Sequence, residues 1–266
     1  MSKTTFIIPI RIDSAKRLEN INTVTQYLLK WTDSKIIVTE RDTERKVFLP
    51  ENSRIQYQFQ YMENGVFHRT KILNEMLNMV DTEITSNYDA DVILHRESYQ
   101  QAEKMIVDEK CDLVYPFGFD KYNQHRVVNT NKQYNIFQKT LDHNDLLLGN
   151  FEKAICKWGH AQFFKTSSYK TGFMENENFQ EYAPEDVERG IRFQKLGYKV
   201  AFFENDLFHL EHPINPLIIP SLRRKGTKLF NLLEKYNKKQ LIDYYKKQPY
   251  MKKYVNLEKK EVNNVN

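Results

Sequence analysis

The chain has 266 residues, 40% hydrophobic and 13% aromatic, with a formal net charge of +5. That length holds one large domain or two small ones around a sizeable core, and the composition excludes a disordered, collagen-like or solenoid chain. The charge is uneven: from Leu217 onward there are 13 Lys and Arg against 4 Asp and Glu, leaving 27 basic and 31 acidic residues before it, which argues against a nucleic-acid-binding body.

Residues 4–10 form a short apolar run closed by Pro9 and are expected as a buried first strand. Residues 14–30 carry Leu18, Ile21, Val24, Leu28 and Leu29 on one helical stripe. Residues 35–39 predict a second strand, and residues 54–61 a third, alternating Ile55, Tyr57, Phe59 and Tyr61 with polar neighbours. A helix is expected over 67–80, a strand over 83–87, a helix over 98–108 and a strand over 112–117. This alternation points to an α/β sandwich on a largely parallel sheet, in which ligands bind beyond the carboxyl ends of the strands.

Residues 118–150, rich in Asn, Asp, Gln and His, break the rhythm and read as an inserted loop or hairpin. A short strand is expected over 159–165, a helix over 184–196, and strands over 199–203 and 206–211. Pro213, Pro216 and Pro220 then end the regular body. Residues 221–245 read as one basic helix, whose Leu222, Leu229, Leu232 and Leu233 can pack on the body while the lysines stay solvated, and the last residues as a frayed end. The division is 1–215 for the main domain and 216–266 for a basic helical C-terminal extension.

Cys111 and Cys156 lack any framework spacing and read as free thiols of a reducing compartment. No apolar run reaches the length of a membrane span, and the run after Met1-Ser2-Lys3 is too short for a signal-peptide core, so a cytoplasmic protein is expected.

The chemistry concentrates in three segments. In Ser86-Asn87-Tyr88-Asp89-Ala90-Asp91 two carboxylates stand two apart in a strand-like run, a spacing that puts both on one face as hard oxygen ligands for a divalent cation. Ala183-Pro184-Glu185-Asp186-Val187-Glu188 places acids in the first turn of a helix, which suits the helix dipole and also supplies a general base. His209-Leu210-Glu211-His212-Pro213 follows a late strand and offers imidazole ligands.

Asp-x-Asp after an apolar strand, then Glu-Asp, then His, in this order along residues 4–215, resembles the nucleotide-sugar glycosyltransferases of the GT-A (nucleotide-diphospho-sugar transferase) fold. The resemblance is to family 2, β-galactosyltransferase-like (family 7) and chondroitin-polymerase-like enzymes. It implies a Rossmann-like, mostly parallel central sheet flanked by helices. It also implies a hexosyltransferase that moves a sugar from a UDP-sugar to a hydroxyl of a saccharide or glycoprotein acceptor, with Mn2+ or Mg2+ and with inversion.

Carried over residue by residue, the resemblance makes Asp186 the catalytic base and Glu185 the acceptor-binding acid, although Ala183-Pro184 replaces the family's glycine pair and Val187 an acid. It assigns the metal to Asp89 and Asp91 with His209 or His212, of which His209 is preferred. It gives the donor nucleotide Pro9, Arg11 and Asp13 after the first strand, Glu40 after the second, Asp89, Ala90 and Gly159. Phe67-His68-Arg69-Thr70-Lys71 resembles a family helix start in which His68 replaces Asn, and it offers Arg69 and Lys71 to the diphosphate.

Two rival functions stay open. A nucleotidyltransferase would carry a Gly-rich phosphate loop, and residues 11–17 contain no Gly. A non-catalytic protein would use the basic extension on nucleic acid or on an anionic membrane, and peripheral membrane contact is a use open to that extension in an enzyme as well.

Overall fold

The computed structural model describes residues 2–63, 65–119, 124–127, 132–147, 151–153, 156–180, 183–213 and 219–254. The expectations that touch Tyr182, Pro216, Leu217 and the chain end beyond 254 lie outside these residues.

The first half mostly alternates, with β3 following β2 directly: β1 (Thr4–Ile10), α1 (Ala15–Trp31), β2 (Lys35–Asp42), β3 (Ile55–Tyr61), α2 (Arg69–Leu77) and β4 (Ile84–Tyr88). After the short β5 (Val92–Leu94) come α3 (Arg96–Val107) and β6 (Leu113–Tyr115). The insertion holds β7 (Gln124–Val127), α4 (Lys132–Thr140), α5 (Asn144–Leu147) and β8 (Phe151–Lys153). The body closes with β9 (Ala161–Lys165), α6 (Thr166–Thr171), α7 (Glu185–Leu196), β10 (Val200–Phe202) and β11 (Leu207–Leu210). Two helices follow, α8 (Pro220–Leu233) and α9 (Lys238–Lys246).

The main sheet has the order β10-β6-β9-β4-β1-β2-β3. All its pairings are parallel except those of β9 with β4 and β6. Every residue of β1 is buried, because helices cover both faces of a central parallel strand. Pairing of β1 with β4 stops at Ile7, two residues before Pro9, which lacks the N–H needed to bond on both sides. The chain leaves β1 toward β2 on one side and returns at β4 on the other. The crevice beyond the ends of β1 and β4 is therefore a topological switch point. A second sheet, β5-β11-β7-β8, lies against it and carries His209 on β11.

Four expectations are corrected. Residues 118–150, expected as a loop or hairpin, also hold two helices. β7 and β8 pair antiparallel but with α4 and α5 between them, so they form no tight hairpin, and α4 buries Tyr134 and Phe137 in the core. The helix expected from 221 begins one residue earlier, at Pro220, because proline is tolerated at a first helical turn. The extension is not one helix: Asn237 and Gln240 form a reciprocal capping box that opens α9, and a further helical turn follows at 249–254. Among its leucines, Leu233 is buried with Phe179, Leu196, Leu241 and Tyr245, whereas Leu232 stays exposed. No described helix is long and apolar enough to cross a membrane.

Candidate active site

β4 ends at Tyr88, opposite Ala161 of β9, so Asp89 and Asp91 lie in the turn to β5 and not on a strand. This overturns the shared face expected from strand spacing. The two carboxylates point to different partners. Arg69, at the start of α2, donates to Asp89 Oδ1 at 2.7 Å. Asp91 instead faces His209 Nε2 at 3.5 Å and His212 Nε2 at 3.2 Å.

Asp91, His209 and His212 each offer a ligand atom, and these atoms lie within 4.8 Å of one another. β11 holds the group in place: His209 pairs with Val92 in the sheet, and the Leu210 N–H donates to the Asp91 carbonyl at 2.8 Å. Burial works against ionisation of Asp91, but His209, His212 and Arg17 together hold its carboxyl well below the usual carboxylate range. Burial pushes the His209 imidazole down to about 4 despite the pull of Asp91, which keeps a neutral ring available as a ligand. Against the effect of burial, the Asp91 carboxylate raises the His212 imidazole, so that ring gives up its proton more reluctantly than His209 when it ligates. One carboxylate and two imidazoles still fit a divalent transition cation better than Mg2+, which favours oxygen ligands. Both histidines join Asp91, whereas Asp89 is engaged by Arg69 and lies outside this group.

The second cluster sits at the N-terminus of α7. Arg69 Nη1 is 3.5 Å from Asp186 Oδ1 and 3.8 Å from Glu185 Oε1, so one guanidinium links α2, the β4 turn and α7. Arg189 donates to Asp186 from one turn along α7. It also grips both oxygens of Glu175, at 2.7 and 2.8 Å, and Gln162 of β9 at 2.9 Å. Arg189 and Glu175 are 0% and 1% exposed. Burial opposes ionisation of Asp186, yet Arg189 and Arg69 pull its carboxyl below the ordinary value. Glu185 goes the other way: burial, then the Asp186 charge, pushes its carboxyl up to about 8. Two adjacent acids thus hold different protonation states at neutral pH, an ionised Asp186 able to accept a proton and a protonated Glu185 able to donate a hydrogen bond.

Arg11 is buried after β1, donates to the Gly65 carbonyl at 3.0 Å and lies 5.7 Å from the Phe67 ring centre. Asp13 binds Arg17 at 3.0 Å. Pro9 and Ala90 are buried beside them. Gly159 abuts the second cluster: a Cβ there would stand 3.5 Å from Asp186 Oδ2 and 3.2 Å from Cys156 Sγ.

Two expected site residues have protein partners. Glu40 is fully buried and accepts hydrogen bonds from the N–H groups of Lys46 and Val47 and from Tyr57 Oη, so its carboxylate shapes the loop after β2 and has no oxygen left facing a nucleotide. Lys71 runs along α2 to Glu75 at 3.9 Å.

Sequence reasoning missed Arg17, whose guanidinium lies 3.3 Å from Asp91 Oδ2 and 3.0 Å from His212 Nδ1. It also missed His160, which packs 5.5 Å from the His209 ring, and the Glu175–Arg189 pair. Arg17 and Glu175 come from distant parts of the chain, while His160 and Arg189 are neighbours in sequence of Gly159 and Asp186 whose partners the sequence does not reveal.

No protein-family model matches the chain, and no curated protein does. Solved structures do match. Residues 1–349 of S. aureus TarS, in complex with UDP-GlcNAc, are 11% identical with a TM-score of 0.55, over 87% of this chain and 66% of that one. The mannosyltransferase PcManGT from Pyrobaculum calidifontis, in complex with GDP-Man and Mn2+, is 14% identical with a TM-score of 0.50, over 82% of this chain and 59% of that one. The chain has the GT-A fold. It spans just under two thirds of the length of these neighbours, and at this identity the likeness establishes architecture alone.

Proposed function

We propose that the protein is a metal-dependent, inverting glycosyltransferase that moves a sugar from a nucleoside-diphosphate sugar to an acceptor hydroxyl. The observation that carries this reading is the convergence of Asp91, His209 and His212 at the switch point beyond β1 and β4, with an ionised Asp186 on the neighbouring helix. The sugar nucleotides in the two neighbours and the Mn2+ in one of them support a donor and cation of the same classes.

The donor nucleotide would lie along Pro9, Arg11, Asp13 and Ala90, with Gly159 leaving room beside the sugar. Asp91, His209 and His212 would hold Mn2+, which when bound neutralises the leaving diphosphate. Arg69 compensates the charges of Asp89 and Asp186 in the substrate-free chain and would meet a phosphate oxygen of the donor. Glu185, protonated, would hold an acceptor hydroxyl, and Asp186 would take its proton as the oxygen attacks the anomeric carbon. A single base opposite the leaving group gives inversion. We assign 1–215 to the transferase domain and 216–266 to an extension, of which α9 docks on α7 through Tyr245 Oη to Glu188 at 2.6 Å.

The two neighbours hold different bases, so UDP-sugars are the first donors to test and GDP-sugars the second. The experiment is nucleotide release from such a panel with Mn2+, before and after chelation, in the wild type and Asp91→Asn. Turnover of one donor that needs both the cation and Asp91 supports the reading. A folded wild type that neither binds nor hydrolyses any donor with any divalent cation overturns it.

A further inference from the structure

A second group of ligand-type side chains lies at the other end of β5. Asp91 immediately precedes this strand and His95 immediately follows it, so the two groups are separated by roughly 13 Å of extended chain. His95, Glu97 and His143 each offer a ligand atom there, again within 4.8 Å of one another.

The surroundings show a built site. His143 has a side chain 1% exposed, and neither of its ring nitrogens has a hydrogen-bond partner. Buried polar atoms without partners are rare in folded proteins and call for an explanation such as an ion. The nearest carboxylate oxygen, Asp142 Oδ1, is 3.8 Å from His143 Nδ1 and is already bound to the N–H and Nδ2 of Asn144. The His143 ring sits 4.1 Å from that of His95. His95 Nδ1 in turn lies 2.5 Å from Glu97 Oε2, a contact not aligned as a hydrogen bond, so this oxygen too is buried without one. Glu97 Oε1 is held by Arg96 Nε at 2.7 Å, which fixes the carboxylate.

The turn that delivers His143 is itself held. Lys30 and Trp31, at the end of α1, donate to the Thr140 and Leu141 carbonyls. Leu141 has φ of 47°, an uncommon left-handed conformation for a bulky residue. Orientation of His143 toward the start of α3 is therefore imposed by the fold around it.

We infer that His95, Glu97 and His143 form a binding site for a nitrogen-preferring divalent cation of the zinc class, separate from the Asp91 group. Two imidazoles and one carboxylate are a common zinc donor set, with water filling the fourth position. The cation fastens the turn between α4 and α5, which carries His143, to the start of α3, which carries His95 and Glu97. This matters to the body because β7 of the same insertion pairs with β11. The inference does not rest on the proposed sugar transfer.

The test uses the full chain with Asp91→Asn and His209→Gln, which disable the first group, and measures metal retained after dialysis against Zn2+ and then metal-free buffer. We expect about one equivalent of zinc per chain, a rise in melting temperature with zinc, and a Co2+ visible spectrum of a low-coordinate nitrogen–oxygen site. Adding His95→Gln, whose side chain is one-third exposed, should abolish all three while leaving the chelated protein's circular dichroism and melting unchanged. Glu97→Gln gives the same reading from a second position. No zinc retained in the first variant, or equal retention after His95→Gln and Glu97→Gln, overturns the site.

Discussion

Arg189 lies one turn beyond Asp186 on α7 and donates to its carboxylate while its other nitrogen grips Glu175. The proposed base is thus oriented by a guanidinium that is itself locked inside the core. Glu175 is held in turn by Asn87 of β4 at 3.1 Å and by Tyr169 of α6, so the base is tied through four side chains to the strand that delivers Asp89 and Asp91.

Removing Asp186 alone should separate chemistry from binding. Asp186→Asn keeps the size of the side chain and loses the proton acceptor, so transfer should fall by about 10²–10⁴-fold while donor affinity stays within a few-fold. Transfer assays and donor titration by calorimetry check this. Equal loss of donor binding would place Asp186 in donor recognition instead.

Breaking the buried pair on one side should cost far more than removing it whole. Arg189→Met leaves Glu175 charged and unpaired at 1% exposure, a loss of about 3–5 kcal/mol in stability. Arg189→Met with Glu175→Gln removes both charges and should recover most of that loss. Urea unfolding of the three proteins gives the comparison.

Such a pair explains what the sequence conveyed and what it did not. The elements from β1 to β4 announce themselves, because a run such as Phe6-Ile7-Ile8 or a stripe such as Ile21-Val24-Leu28 fits a single period. β5 has three residues and α6 six, too few for any period to show. In α7, Glu188, Arg189 and Arg192 are each at most 4% exposed, a burial that their charge does not announce. The single helix expected over 221–245 divides at the Asn237–Gln240 capping box, which the leucine pattern alone does not mark. The order of the three acid and histidine segments was legible. Their pairing was not, because Arg17 and Arg69 reach the acids from helices far away along the chain.

Glu185 gives the protein a pH dependence with a definite sign. Its carboxyl is pushed up to about 8 from an ordinary 4.5, so between these values the folded chain keeps a proton that the unfolded chain has lost. The resulting stability is fully present below 4.5 and is lost as pH rises through about 8. Glu185→Gln cannot ionise, so its melting temperature minus that of the wild type should grow steadily from pH 5 to pH 8.5. A flat difference would mean that Glu185 is ionised throughout.

Arg17 competes with any cation for Asp91. Its guanidinium and the His212 ring approach the same oxygen, at 3.3 and 3.2 Å. Arg17→Gln should lower the stability of the metal-free protein slightly and raise Mn2+ affinity about fivefold, the equivalent of one partly exposed ion pair near 1 kcal/mol. Calorimetric titration decides, and a drop in affinity would make Arg17 a support of the cation site rather than its competitor.

Gly190 sets how closely α7 approaches the segment before β9. A Cβ at this position would stand 2.1 Å from Trp158 Cε3, well inside any contact distance, so the indole must move. Trp158 is wedged against Tyr115 and Phe202 at ring separations of 5.5 Å and has little free space to enter. Gly190→Ala should therefore cost about 1–3 kcal/mol, more than the small gain in helix propensity returns. The displaced indole should also shift the tryptophan emission, and because Gly159 follows Trp158 directly, the variant should weaken transfer more than its stability loss alone explains. Unchanged emission with full stability would show that α7 moves away as a rigid body instead.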